Sequence, residues 1–177
     1  MSDKGLIVVF TGDGKGKTSA ALGIVLRAWG HQMAVSLVQF VKGSSATGES
    51  MAAERLAPQF NLISLGKGFV NCFGDTTSLD EHRQAATHAL EAARVRMRSG
   101  NWDILILDEV NTAVSLGLLD IQDVLALIRE KPSRLHIVLT GRDAHPDLLA
   151  AADMVTEMKN LKHPYDAGRP ATKGIDF

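Results

Sequence analysis

Residues 11–18 read Thr-Gly-Asp-Gly-Lys-Gly-Lys-Thr, with an apolar segment ahead of them and a helical pattern behind. Gly12, Gly14 and Gly16 let backbone N–H groups turn inward without Cβ clashes, so that they can cradle phosphate oxygens. The helix that follows adds the positive end of its dipole. Lys17 is placed to reach outer phosphates as a point charge, and the Thr18 hydroxyl to ligate Mg²⁺. The common form of this loop is Gly-x-x-x-x-Gly-Lys-Ser/Thr, and here Thr11 stands where its first glycine would be. A second signal is Asp103–Glu109 (DILILDE), an apolar strand ending in adjacent carboxylates. Ligand crevices of parallel sheets lie at the carboxyl ends of the strands, so Asp108 or Glu109 falls near the metal of such a site. Side chains alternate along a strand, which keeps the two acids from playing the same part. Arg142, in Thr140-Gly141-Arg142, could clamp phosphate bidentately, and Lys42 follows another strand in the same way. Arg27 lies roughly 15 Å beyond Lys17 by helical rise, within reach of the nucleoside end of a bound nucleotide. By position alone, each of these three cations reads equally well as a surface charge.

The elements that must position these groups alternate. Leu6–Phe10 is a continuous β-branched run suited to a strand buried on both faces. Lys17–Trp29 reads as a helix with Gly30 as its C-cap. Ala34–Val41, Phe60–Leu65, Ile104–Leu107, His136–Thr140 and Met154–Met158 supply further strands. Leu79–Arg98 is a long helix carrying Ala86, Leu90, Ala93 and Met97 on one stripe, ended by Ser99-Gly100-Asn101. Ile121–Arg129 is a short one, and Asp143-Ala144-His145 reads as a helix-start cap before Pro146. Arg94, Arg96 and Arg98 read as a solvated helix end favoured by the dipole. The pattern predicts an α/β fold, phosphate-loop NTPase-like, with a mostly parallel central sheet of about six strands and helices on both faces. One domain over residues 1–177 is expected, with 160–177 as a tail near the active site.

Composition excludes several classes. The 177 residues are 45% hydrophobic and 22% charged, which argues against wholesale disorder. A net charge of −1 gives no basis for generic attraction to nucleic acid or an anionic membrane. The single cysteine, Cys72, leaves no intramolecular disulfide, and no apolar run approaches the ~20 residues that span a bilayer. A cytoplasmic protein is the expectation.

Several further segments carry a resemblance: Arg27–His31 (RAWGH), Val38–Gly43 (VQFVKG), Ile106–Glu109 (ILDE), Leu139–Arg142 (LTGR), Leu161–Gly168 (LKHPYDAG) and Lys173–Phe177 (KGIDF). Together with Thr11–Ser19, and in this order, they resemble the ATP:corrinoid adenosyltransferases of the bacterial cobalamin pathway. Thr11 is no anomaly in that company. The resemblance implies an enzyme that transfers the 5′-deoxyadenosyl group of ATP to the Co(I) centre of a corrinoid (cobalamin, cobinamide or cobyrinic acid diamide). Tripolyphosphate is released, in biosynthesis or salvage. It further implies Mg²⁺, an electron donor such as a flavodoxin or flavin reductase, and a homodimer. By matching position, Gly12, Asp13, Gly14, Lys15, Gly16, Lys17 and Thr18 would bind the triphosphate. Thr18 and Glu109 would surround the metal, and Arg27, Lys42 and Arg142 would contact nucleotide. Lys17, Phe69 and Glu109 are the expected catalytic residues. Two other classes remain open from the sequence: a phosphate-loop ATPase or small-molecule kinase, and an ATP-dependent corrinoid carrier.

Phe69 resembles the family's aromatic that packs against the lower face of the corrin, where displacing the lower ligand makes Co(II) easier to reduce. Relatives carry a tryptophan two residues later, and here that position is Asn71, with Phe73 beyond it. Relatives also have a segment before the first strand that can cover the site, whereas five residues precede Leu6 here. Replacing Phe69→Ala should slow adenosylation that starts from Co(II) more than adenosylation that starts from Co(I). Equal losses in parallel anaerobic assays would remove Phe69 from lower-ligand displacement.

Overall fold

The structure is a computed structural model that describes residues 4–43, 47–68, 70, 76–164 and 168–176. Six strands, β1 (Ile7–Thr11), β2 (Val35–Gln39), β3 (Phe60–Ser64), β4 (Ile104–Asp108), β5 (His136–Thr140) and β6 (Met154–Glu157), form one sheet in the order β3-β2-β4-β5-β1-β6. Every pairing is parallel. The central strands are buried on both faces, and their side chains alternate between two cores. Val8, Leu37, Ile104, Ile106 and Val138 face one; Val9, Val38, Leu105, Leu107, Ile137 and Leu139 face the other. This is the reason for their unbroken apolar runs.

Helices α1 (Lys17–Gly30) and α2 (Gly48–Leu56) cover the first core. The second is covered by α3 (Leu79–Ser99), α4 (Val110–Ser115), α5 (Ile121–Arg129) and α6 (Pro146–Ala151). The expected helix–sheet–helix layering is therefore present. Helix α3 begins with a reciprocal capping box between Ser78 and Glu81 and ends at Gly100, within the expected Ser99-Gly100-Asn101 stop, where a φ of 71° makes a left-handed cap. His145 caps α6 through Nδ1, which accepts from the Asp147 N–H, with Pro146 in the first turn.

Three expectations need correction. Gly30 does not cap α1: the helix runs through it to His31, and Gln32 takes the positive φ of 60°. The arginines at the end of α3 are not simply solvated. Arg94 and Arg98 donate to Glu130 at the end of α5, and Arg96 donates to Asn61 of β3, while burial pushes the Arg96 guanidinium below its ordinary value. Helices α2 and α4 were not foreseen. The first buries only Ala53 and so carries no apolar stripe to read, and the second has only six residues. Among the described residues no helix is long and apolar enough to cross a membrane.

Leu107 is fully buried between β2 and β5, just ahead of the acidic pair. Leu107→Ala should lower unfolding stability by about 2–5 kcal/mol, since neighbouring strands cannot collapse into the space. Urea denaturation would measure it, and a loss below ~1 kcal/mol would show the layer to be loosely packed.

Candidate nucleotide site

The carboxyl ends of β1, β2, β4 and β5 meet at a cavity of about 610 Å³. Residues 13–18 line it, joined by Lys42, Glu109 and Arg142, with Gly174, Ile175 and Asp176 of the tail on one wall. Nearly the whole set of expected contact residues is thus gathered in one place. Gly12 stands behind the lining and serves the loop through its carbonyl. Arg27 is exposed on α1 and does not line the cavity, whereas Leu22 of the same helix does. Phe69 lies outside the described residues.

The loop's glycines answer to a constraint absent from the motif. Beyond β6 the chain runs back over the loop: the Met158 N–H donates to Thr11 O at 2.8 Å, and the Gly14 N–H donates to Met158 O at 2.7 Å. A Cβ on Gly12 would sit 2.4 Å from Met158 O, and one on Gly14 would sit 2.7 Å from Lys159 O. Close backbone approach thus requires glycine here independently of any phosphate. Thr11 also has a task, because its Oγ1 accepts from the Ala144 N–H at 3.2 Å and ties the loop to the segment after β5.

Lys17 is buried and its Nζ donates to Gly12 O at 2.6 Å and Gly14 O at 2.8 Å. Burial pushes the ammonium below its ordinary value; Glu109 opposes that shift and Arg142 adds to it. Lys42 pairs with Glu49 at 2.5 Å, a partner that the weakly patterned α2 concealed. Burial alone would raise the Glu49 carboxyl, but the Lys42 hydrogen bond, with backbone and Thr47 contributions, holds it below the usual range. Lys15 forms an ion pair with Asp176, bringing the tail onto the loop.

The acidic pair divides its work as strand alternation requires. Asp108 is fully buried on the α1 side of β4, where its Oδ1 accepts from Thr18 Oγ1 at 2.8 Å and Thr140 Oγ1 at 2.7 Å. Its Oδ2 accepts from Gln39 Nε2 at 3.1 Å. The residue bonded to Thr18 is therefore Asp108, while Glu109 lines the same cavity from the start of α4. Glu109 takes a positive φ of 65° and accepts from the Thr112 hydroxyl. Thr112 in turn accepts from the Arg142 N–H at 3.0 Å, and Gly141 is obligatory between them, since its Cβ would lie 2.6 Å from Thr112 N. With its proton committed to Asp108, Thr18 turns oxygen lone pairs toward the cavity. A hard oxygen donor backed by a carboxylate, beside room for phosphates, suits Mg²⁺.

Burial raises the Glu109 carboxyl above its ordinary value of 4.5, with Asp108 adding to the effect and Thr112 and Lys17 opposing it. A raised pKa in the fold means that protonation favours folding, so this contribution is complete below pH 4.5 and lost as pH rises through the folded value. Glu109→Gln keeps an acceptor for Thr112 and cannot ionise. It should raise the urea midpoint at pH 7, with the gain disappearing near pH 4, below the ordinary carboxyl value. A gain of equal size at both pH values would assign the effect to packing instead.

A family model for ATP:corrinoid adenosyltransferase BtuR/CobO/CobP matches residues 3–177. The chain is 38% identical over 175 residues to a corrinoid adenosyltransferase of Pseudomonas aeruginosa, covering 99% of this chain and 85% of that protein. A corrinoid adenosyltransferase of Escherichia coli K12 is 35% identical over 175 residues, with 99% and 87% covered. Among solved structures, the flagellar accessory protein FlaH from Methanocaldococcus jannaschii superposes with a TM-score of 0.58 at 12% identity. That likeness covers 88% of this chain and 71% of FlaH, and it concerns the fold alone. The motifs scattered from the phosphate loop to the tail are accounted for together: the chain belongs to the ATP:corrinoid adenosyltransferase family of enzymes.

Proposed function

We propose that this protein transfers the 5′-deoxyadenosyl group of ATP to the Co(I) centre of a corrinoid. The electron pair on cobalt attacks C5′, the C5′–O bond breaks, and that oxygen departs with tripolyphosphate. The observation that carries this reading is the phosphate-loop cavity itself, walled by Lys17, Lys42 and Arg142 in a chain that matches its family over nearly full length. Co(I) is already a strong nucleophile, so the protein's work is positioning and stabilisation of a polyanionic leaving group. Backbone N–H groups of the loop and the start of α1 bind the phosphates. Lys17 exchanges its bonds to the Gly12 and Gly14 carbonyls for phosphate oxygens, and Arg142 adds charge from β5. Thr18, backed by Asp108 and near Glu109, would hold Mg²⁺, which would supply positive charge against the leaving group. Asp13 and Lys15 flank the chain of phosphates, and Arg27 meets the nucleoside end only if the nucleotide extends along α1 beyond the cavity.

The corrinoid is taken as cobalamin, cobinamide or cobyrinic acid diamide, reduced by a flavodoxin or flavin reductase, and the enzyme is taken to work as a homodimer in the cytoplasm. These assignments rest on family membership. The test is product analysis after anaerobic incubation with Mg-ATP and chemically reduced Co(I) corrinoid. Adenosylcorrinoid with tripolyphosphate is the expected result. ADP with phosphate would indicate a hydrolase, and unchanged bound corrinoid a carrier; either would overturn the proposal. Lys17→Ala should cut adenosyl transfer by about 10²-fold or more, the scale of losing one charge-stabilising donor. Near-normal turnover in that variant would remove Lys17 from the reaction.

A further inference from the structure

Asp108 is held from the cavity side by Thr18 and from β5 by Thr140, but its second oxygen is held from β2, by Gln39 of the VQFVKG segment, a residue given no task by the sequence. Gln39 is 1% exposed, and the sheet register sets it between Asp108 of β4 and Ser64 of β3. Its two polar atoms are both used. Nε2 donates to Asp108 Oδ2 at 3.1 Å, and Oε1 accepts from Ser64 Oγ at 2.5 Å. A buried amide beside a carboxylate is favourable in one orientation only, with nitrogen toward the charge, because the reverse sets two acceptors against each other. The Ser64 hydroxyl donates to the far end of the amide and so reinforces that orientation. The three side chains thus form one line across neighbouring strands that ends, through Asp108, at the Thr18 hydroxyl.

We propose that Gln39, oriented by Ser64, is a positioning residue for the magnesium-nucleotide site. It acts through Asp108, whose fixed carboxyl group accepts the hydrogen bond of the Thr18 hydroxyl and leaves the threonine lone pairs facing the cavity. The inference rests on the reading of Thr18 as an ion ligand. Without the amide, Asp108 loses the Gln39 donor at Oδ2 and can rotate away from Thr18, while the backbone of the loop is untouched. The role therefore predicts a defect confined to the ion and absent from the nucleotide's own affinity.

Calorimetric ATP binding to the whole protein, without corrinoid, separates these effects. Gln39→Leu should raise the Mg²⁺ concentration needed for half-maximal enhancement of ATP binding by about tenfold, as for the loss of other groups that orient a ligand from behind. Its affinity for ATP in EDTA should stay within about twofold of the parent, since the loop contacts do not change. Ser64→Ala should shift the ion requirement the same way by a smaller factor, and it keeps the test alive should the Gln39 variant fail to fold. The double variant should match Gln39→Leu alone, because both changes act on one line of bonds. An unchanged Mg²⁺ requirement in well-folded variants, or equal weakening in EDTA, would overturn the positioning role while leaving the site assignment standing. Identical ATP affinity of the parent with and without Mg²⁺ would instead remove the ion from the site, and the proposal with it.

Discussion

The arrangement depends on satisfying one carboxyl group where no solvent reaches it. Asp108 is fully buried, and such a group is tolerated only if its oxygens are met by donors. Those donors come from three different elements: Thr18 at the start of α1, Gln39 in β2 and Thr140 in β5. The strand order makes this possible by setting β4 between β2 and β5. Thr140 also accepts from the Glu109 N–H at 2.9 Å, so the same hydroxyl fixes the turn into α4. Displacement of β2 or β5 would leave a buried carboxyl group short of a donor, which ties the geometry of the site to the integrity of the central sheet.

A second constraint works from outside. The segment after β6 lies against the phosphate loop closely enough that Gly12 and Gly14 have no room for a side chain. The loop is thus shaped from one side by the segment that follows the sheet's edge strand. Lys17 ties the loop together: its bonds to the Gly12 and Gly14 carbonyls keep a buried ammonium satisfied. Lys15 points instead to the tail, where Asp176 accepts its charge.

Much of this was legible in the sequence for physical reasons. Apolar runs such as Ile104–Leu107 could hardly be anything but strands covered on both faces, and Gly-Lys-Thr at a strand–helix turn has few uses besides phosphate. The rest was hidden where meaning depends on register. Whether Asp108 or Glu109 meets Thr18 turns on a one-residue shift, because β4 continues to Asp108 and alternation then points it at α1. Gln39 belongs to the VQFVKG segment, but what its amide does is visible only once its neighbours across the sheet are known. Helix α2 exposes most of its surface, so its pairing of Glu49 with Lys42 left no periodic trace. Gly30 was misread because a glycine near a helix end suggests a cap, whereas the chain turned two residues later at Gln32.

The strand order has a thermodynamic corollary. Because β1 and β2 are separated in the sheet by β4 and β5, the groups around the cavity are distant in sequence and no contiguous stretch of chain contains them all. Partial unfolding of any central strand would dismantle the pocket. A ligand held by these groups would therefore stabilise the assembled sheet as a whole, through mass action on the one state that can bind. The ligand belongs to the protein's cooperative unit as much as any side chain in its core.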